Sequence, residues 1–156
     1  MRYSMKIEQA IPRVVFDTNI LISALLSPRG ASFQRLALAR LTRIHSISCP
    51  QILSELQEKL LTKFGYVLED AQRVVNEVEH FSEIVLLSGV AFPEVGDPND
   101  WMVIECALVG RADCIVSGAR HLLRSGRHGG IEILTARQFL QRLATETFSE
   151  NGGQSP

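Results

Sequence analysis

One short run constrains this chain more than any other: Val14-Val15-Phe16-Asp17-Thr18-Asn19-Ile20-Leu21-Ile22. Its first half is apolar and β-branched and shows no alternation. A strand with one wet face alternates, whereas a strand covered on both faces does not, so this run predicts a buried strand of a parallel sheet. It stops at Asp17-Thr18-Asn19 and passes without a loop into an apolar helical run through Leu21, Ile22 and Leu25. Open α/β sheets bind ligands beyond the carboxyl ends of their strands, which is where Asp17 falls. Asp, Thr and Asn also cap helices well, so an acid at one such junction decides nothing by itself.

After a turn at Ser27-Pro28-Arg29-Gly30, the spacing of Phe33, Leu36, Ala37 and Leu41 predicts a helix over residues 31–40. A strand is expected over residues 44–48. The next helix opens on Pro50, whose missing N–H costs nothing at the first helical position. It should turn Ile52, Leu53, Leu56, Leu60 and Phe64 inward until Gly65 stops it. A helix over residues 68–81 follows, with Ala71, Val74, Val75 and Val78 facing in. Further strands are expected over residues 84–87, 113–116 and 131–134. Asp97-Pro98-Asn99-Asp100 starts a helix through Val109, and Thr135 caps a last one through Leu143. Strands that alternate with helices imply βαβ units, hence an α/β fold with a parallel sheet between two helical layers.

No repeat or shift of composition divides the 156 residues. A single domain is therefore expected over residues 13–146, with residues 1–12 a lead-in and residues 147–156 a disordered tail. The net charge of −1 provides no bulk basic field, although a local patch can be basic within a neutral total. Cys49, Cys106 and Cys114 are odd in number and far apart, and they read as small buried hydrophobes of a reducing compartment. No apolar run has the length of a signal-peptide core or a membrane span, so a cytoplasmic protein without a membrane partner is expected.

Three acids stand out: Asp17 after the first strand, Glu55 in the helix after the second, and Asp100 in the helix after the third. Each has a plain explanation. Asp97 suits an N-cap before Pro98, and Asp100 lies in a first turn, where the helix dipole favours negative charge. Glu55 has Lys59 four residues on, the order that supports a surface helix pair. In a parallel sheet, however, these three connections share one edge and can converge on one pocket. Clustered carboxylates repel one another unless protons or a cation neutralise them, and hard divalent cations take such oxygen ligands.

The run from Val14 to Leu26 resembles the opening of the PIN-domain family, in the branch of toxin–antitoxin toxins. Cys49-Pro50-Gln51-Ile52-Leu53-Ser54-Glu55-Leu56, Asp97-Pro98-Asn99-Asp100, Ala112-Asp113-Cys114-Ile115-Val116-Ser117-Gly118 and the segment from Gly129 to Leu140 resemble it too, in the same order. The resemblance runs from about Arg13 to Leu143. It implies a Mg²⁺- or Mn²⁺-dependent ribonuclease on a five-stranded parallel sheet of order 3-2-1-4-5. It places Asp17, Glu55 and Asp100 on the family's catalytic, metal-binding acids, with Asn19 and Ser117 as supporting polar groups. It also implies RNA as substrate, a homodimer, and an antitoxin protein as partner.

One segment departs from the pattern. Where the family reads Thr-Gly-Asp-x-Asp-Leu-Leu, this chain reads Ser117-Gly118-Ala119-Arg120-His121-Leu122-Leu123. The fourth acid is replaced by Ala119, which makes two-metal occupancy harder. His121 is a candidate replacement ligand, and Asp97 a candidate auxiliary acid. Arg111, Arg120, Arg124 and Arg127, with His121 and His128, form a basic cluster along the chain. They could contact RNA phosphates or be ordinary solvated charges. The altered acids motivate an alternative reading, a PIN fold that has lost efficient catalysis and serves in RNA or protein binding. Other α/β families fit less well: no G-x-G-x-x-G follows the first strand, as a dinucleotide site requires.

Overall fold

The computed structural model describes residues 11–26, 39 and 43–145. The strand predicted at the opening of the chain is β1 (Arg13–Phe16). Val14, Val15 and Phe16 are all at most 1% exposed, so both faces of this strand are covered, as the missing alternation required. The helix α1 (Thr18–Leu26) follows it directly. Next come β2 (His45–Ser48), α2 (Pro50–Thr62) and α3 (Leu68–His80). The chain continues through β3 (Ser82–Ile84), a 3-10 turn (Pro98–Asp100), α4 (Trp101–Val109) and β4 (Cys114–Val116). It ends in α5 (Arg120–Ser125), the short β5 (Arg127–His128), β6 (Ile131–Leu134) and α6 (Ala136–Thr145). Of the helix predicted over residues 31–40 only Ala39 is described, and it is buried. The predicted tail and most of the predicted lead-in lie outside the described residues.

The strand order is β3-β2-β1-β4-β6-β5. Its first five members are parallel and reproduce the expected order, with β6 as the fifth predicted strand. The sixth strand corrects the expected count of five. Gly129 and Gly130, both with positive φ (55° and 84°), fold the chain back so that Arg127 and His128 pair antiparallel with Glu132 and Ile131. Two glycines of this kind form the tight turn that a right-twisted hairpin needs. A two-residue strand carries no periodicity from which it could be predicted.

Two other expectations are corrected. The third strand was expected over residues 84–87 but ends at Ile84. Val85 still donates to the Ser48 carbonyl, after which Leu86 is 77% exposed. The backbone N–H groups of Ser88, Gly89 and Val90 are drawn off to the Glu105 carboxylate, so the apolar run outlasts the ladder. Phe64 lies beyond the end of α2 and is half exposed, while Ile52, Leu53, Leu56 and Leu60 are buried as predicted.

The core is continuous around the central strands. Phe139 of α6 meets Phe16 edge to face with 6.0 Å between ring centres, a contact worth about 0.5–1.5 kcal/mol beyond its area. All three cysteines are buried and free. Thr135 and Gln138 cap α6 reciprocally, each side chain accepting from the other's backbone N–H at 3.1 and 2.8 Å. At Gly110 a Cβ would stand 2.7 Å from Ile47 Cγ2, so only glycine lets the α4–β4 connection pass over β2. The strand order reverses direction between β1 and β4, and this switch point lies beside Asp17.

Candidate functional site

The register of β1 against β4 pairs Phe16 with Val116, so the next residue of each strand, Asp17 and Ser117, emerge side by side. The Asp17 backbone N–H donates to the Val116 carbonyl at 3.0 Å. Ser117 is fully buried, and its hydroxyl donates to Asp17 Oδ2 at 2.7 Å. The Thr18 backbone N–H donates to Asp17 Oδ1 at 2.8 Å. The carbonyl of Asp17 accepts from Ile20 and Leu21, the first bonds of α1. Capping and site geometry therefore coexist in one residue. Asp17 is only 7% exposed. Burial pushes its pKa above the ordinary value, as does the charge of Glu55. The two hydrogen bonds and Lys59 act against that shift.

Glu55 is brought in by α2 and is about one-quarter exposed. Its Oε1 accepts from the Thr18 hydroxyl at 2.8 Å, and its Oε2 pairs with Lys59 Nζ at 3.3 Å. The surface helix pair foreseen for Glu55 and Lys59 exists, but it is mostly buried and tied to α1. Lys59 Nζ also donates to Asn19 Oδ1 at 3.2 Å.

Asp100 ends the 3-10 turn and is 8% exposed. Its pKa is raised to about 6, first by burial and then by the charges of Asp17, Asp97 and Glu55, with His121 opposing. Asp17, Glu55, Asp97, Asp100 and His121 therefore share one electrostatic neighbourhood. Asp97 accepts from the Asn99 N–H at 3.0 Å and caps the turn, as its place before Pro98 predicts. His121 is exposed at the start of α5, and its ring lies against the backbone of Gly96. A Cβ at Gly96 would come within 3.2 Å of His121 Nδ1, so glycine allows the loop before Asp97 to close on the ring. Ala119, at the N-cap of α5, presents a methyl group, and its N–H donates to Ser117 Oγ at 2.9 Å.

Among the described residues, no three His, Cys, Asp or Glu side chains form a group placed to hold a metal as they stand. The donor chemistry nevertheless suits a hard divalent cation. Two buried carboxylates, Asp17 and Asp100, have raised pKa values through burial and the repulsion of neighbouring acids, Glu55 on Asp17 and Asp17 on Asp100, which a cation would relieve. Glu55 differs, because protein donors already engage both of its oxygens. Between α2 and the 3-10 turn a groove of about 540 Å³ runs past Glu55 and Lys59, with Gln51, Ser54, Asn99 and Met102 also in its walls.

The basic residues do not form one patch. Arg120 and Arg124 are exposed on α5, close along the chain to Ala119. Arg127 is paired with Glu132 at 3.3 Å in the β5–β6 hairpin. Arg111 lies before β4, at the opposite edge of the sheet, where its carbonyl accepts from Arg13 Nε. It therefore leaves the cluster expected from the sequence.

Glu105 was missed by sequence reasoning. It is 3% exposed on α4 and accepts from Ser88 N and Oγ, Gly89 N and Val90 N at 2.7–3.1 Å. Burial works to raise its pKa, but these donors outweigh it and the value falls below the ordinary one. This bond set anchors one end of the loop that carries Asp97 and Asp100. Trp101 Nε1 holds the other end through the Val95 carbonyl at 3.1 Å. The available signal was a lone acid inside the apolar run Trp101-Met102-Val103-Ile104-Glu105-Cys106-Ala107.

Known proteins share this architecture. The chain is 30% identical over 121 residues to the uncharacterized protein MJ1680 of Methanocaldococcus jannaschii, covering 76% of this chain and 77% of that one. Its fold is similar to a chain in the crystal structure of VapBC2 from Rickettsia felis bound to a DNA fragment from their promoter. That match has a TM-score of 0.56 at 16% identity and covers 79% of this chain and 98% of the other. PAE2754 from Pyrobaculum aerophilum matches with a TM-score of 0.55 at 16% identity, over 86% and 91% of the two chains. A family model described as PIN domain matches residues 13–121, from the start of β1 to His121. The chain belongs to the PIN-domain family.

Proposed function

We propose that this protein is a Mg²⁺- or Mn²⁺-dependent ribonuclease and the toxin component of a toxin–antitoxin pair. The observation that carries the reading is the pair of buried carboxylates at the switch point, Asp17 and Asp100, the latter with its pKa raised to about 6. Glu55 completes the acidic set beside them. The resemblance of five ordered segments to the toxin branch supports this function, and the fold likeness to a VapBC2 chain agrees with it.

In this reading Asp17 and Asp100 supply the oxygens that would hold the cation, and Glu55, engaged by Thr18 and Lys59, is the third acid at its margin. A divalent ion bound there would lower the pKa of a water and offset charge on the phosphodiester oxygens. The protein's own groups prepare the site. Ser117 and the Thr18 N–H fix both oxygens of Asp17, which therefore keeps one orientation. Thr18 Oγ1 fixes Glu55, and Asn19 is fixed through Lys59. Asp97 holds the turn that presents Asp100. His121 offsets part of the negative charge at Asp100 and is the auxiliary group on the side where Ala119 brings no acid. Arg120, Arg124 and Arg127 contact RNA phosphates, and the working protein is a homodimer restrained by an antitoxin protein.

The test is a calorimetric Mn²⁺ titration of the wild type beside Asp17→Asn. Binding that the substitution abolishes is the expected result. If folded wild-type protein binds no Mn²⁺ at millimolar concentration, the nuclease reading fails. The second reading, a PIN fold acting in RNA or protein binding without catalysis, then takes its place. It is favoured by one observation, the methyl group of Ala119 where the family carries an acid.

A further inference from the structure

The acidic edge already holds a cation of its own. Lys59 reaches from α2 across to α1, placing Nζ 3.3 Å from Glu55 Oε2 and 3.2 Å from Asn19 Oδ1. Its side chain is 22% exposed. The Arg73–Asp70 pair on α3, one turn apart in the same way, is 73% and 52% exposed. That second pair is an ordinary solvated contact, whereas Lys59 is half-buried and spans two helices. The other oxygen of Glu55 takes the Thr18 hydroxyl. Both Glu55 oxygens and Asn19 Oδ1 therefore take protein donors. The Lys59 charge also acts on Asp17.

On the far side, Ala119 leaves Asp17 and Asp100 with Asp97 and the nearby His121, and none of these brings a full, permanent positive charge. The edge is thus divided. Its α1–α2 half is neutralised by an ammonium, while its half at the 3-10 turn keeps buried carboxylates in repulsion. We propose that Lys59 is a built-in counter-ion that occupies the Glu55–Asn19 half of the site, competes there with divalent metal, and limits the site to one divalent ion centred on Asp17 and Asp100. This rests on the metal-dependent reading above. The competition follows from charge: a divalent ion that reached Glu55 would face an ammonium at contact distance, in a half-buried groove that screens it less than bulk water.

The test is Mn²⁺ binding by calorimetry and by loss of the free-ion electron paramagnetic resonance signal. Wild type, Lys59→Met, Lys59→Arg and Asp17→Asn are compared, with circular dichroism to check folding. Lys59→Met keeps the apolar stem and removes the charge. It should bind Mn²⁺ at least about tenfold more tightly than wild type, with a larger rise in melting temperature on adding the ion. Lys59→Arg should stay near wild type. Should Lys59→Met fail to fold without metal, Lys59→Gln takes its place in the same comparison.

Equal Mn²⁺ affinity and stoichiometry in wild type and Lys59→Met, with Asp17→Asn abolishing binding, overturns the counter-ion role while leaving the metal reading intact. Binding by Lys59→Met with none by wild type overturns the single-ion site in the wild type, and the nuclease reading with it. No binding by any folded variant overturns both.

Discussion

Ser117 Oγ donates to Asp17 Oδ2 at 2.7 Å, across the two strands between which the sheet changes direction. The bond is buried at both ends, and it depends on the Phe16–Val116 register rather than on sequence proximity, since the residues are 100 positions apart. A buried carboxylate that loses such a donor keeps its desolvation cost without the compensation. Ser117→Ala should lower stability at pH 7 by about 1–3 kcal/mol, read by urea denaturation. The loss should shrink below pH 4, where Asp17 is protonated in the unfolded chain and, with its raised pKa, in the native one as well. A loss that does not change with pH would assign the effect to packing alone.

Asp100 sets a second pH dependence. Its native pKa of about 6 lies above the unfolded value of 3.8, so the native state binds more protons between these values. Stability then falls as pH rises through that window. Asp100→Asn removes the penalty. The variant should be more stable than wild type at pH 7 by about 1–3 kcal/mol, with no advantage at pH 3.5. Chemical denaturation at the two pH values checks the sign. Mn²⁺ binding by the wild type should weaken as pH falls below about 6, because protonated Asp100 is no longer an anionic donor.

Glu105→Gln tests the anchor of the loop. An amide would turn an N–H toward one or more of the donors on Ser88, Gly89 and Val90. A cost of about 2–4 kcal/mol is expected. Hydrogen exchange should show the amides of residues 88–90 losing protection before those of β1 or β4. Equal protection in variant and wild type would mean that the loop is held by Phe92, Val95 and Trp101 alone.

Ala119→Asp returns an acid to the N-cap of α5. Without metal it adds another negative charge near Asp17 and Asp100, so the melting temperature at pH 7 should fall unless the new helix cap offsets the repulsion. With Mn²⁺ the variant should bind more tightly than wild type. Calorimetry and thermal melts, each with and without the ion, separate the two effects. Weaker Mn²⁺ binding by the variant would count against Asp17 and Asp100 as the centre of the site.

Much of the architecture could be read from the sequence because buried parallel strands are unusually plain. Val14-Val15-Phe16 and Cys114-Ile115-Val116 show the unbroken apolar character that two-sided burial demands. Pro50 and Asp97 mark helix starts by removing or satisfying an N–H. The errors fall where local pattern loses to tertiary contact. Leu86 and Leu87 look like strand, but the Glu105 carboxylate takes the next N–H groups out of the ladder. Arg127 and His128 pair only because two glycines turn the chain.

At the site, the sequence pointed to Asp17, Glu55 and Asp100 as residues that one sheet edge could bring together. It could not show that Thr18 and Lys59 would engage both oxygens of Glu55. Those contacts depend on how α1 packs on α2, which the apolar spacing of neither helix specifies. Arg111 was misplaced for a related reason: nearness along the chain to α5 says nothing about which edge of the sheet a residue occupies.

The hairpin at the end of the sheet has a consequence for assembly. β5 covers the open side of β6 with a strand of only two residues, and at the other margin β3 offers three residues, of which Glu83 is already engaged by Arg13 and His45. Exposed edges invite a foreign strand to continue the ladder, and short or charged ones discourage it. Among the described residues, neither margin gives a visiting chain more than three residues of strand to pair with. Among the described residues, the helices and loops, where side-chain shape decides the fit, are therefore the surfaces that suit another molecule better than the sheet margins.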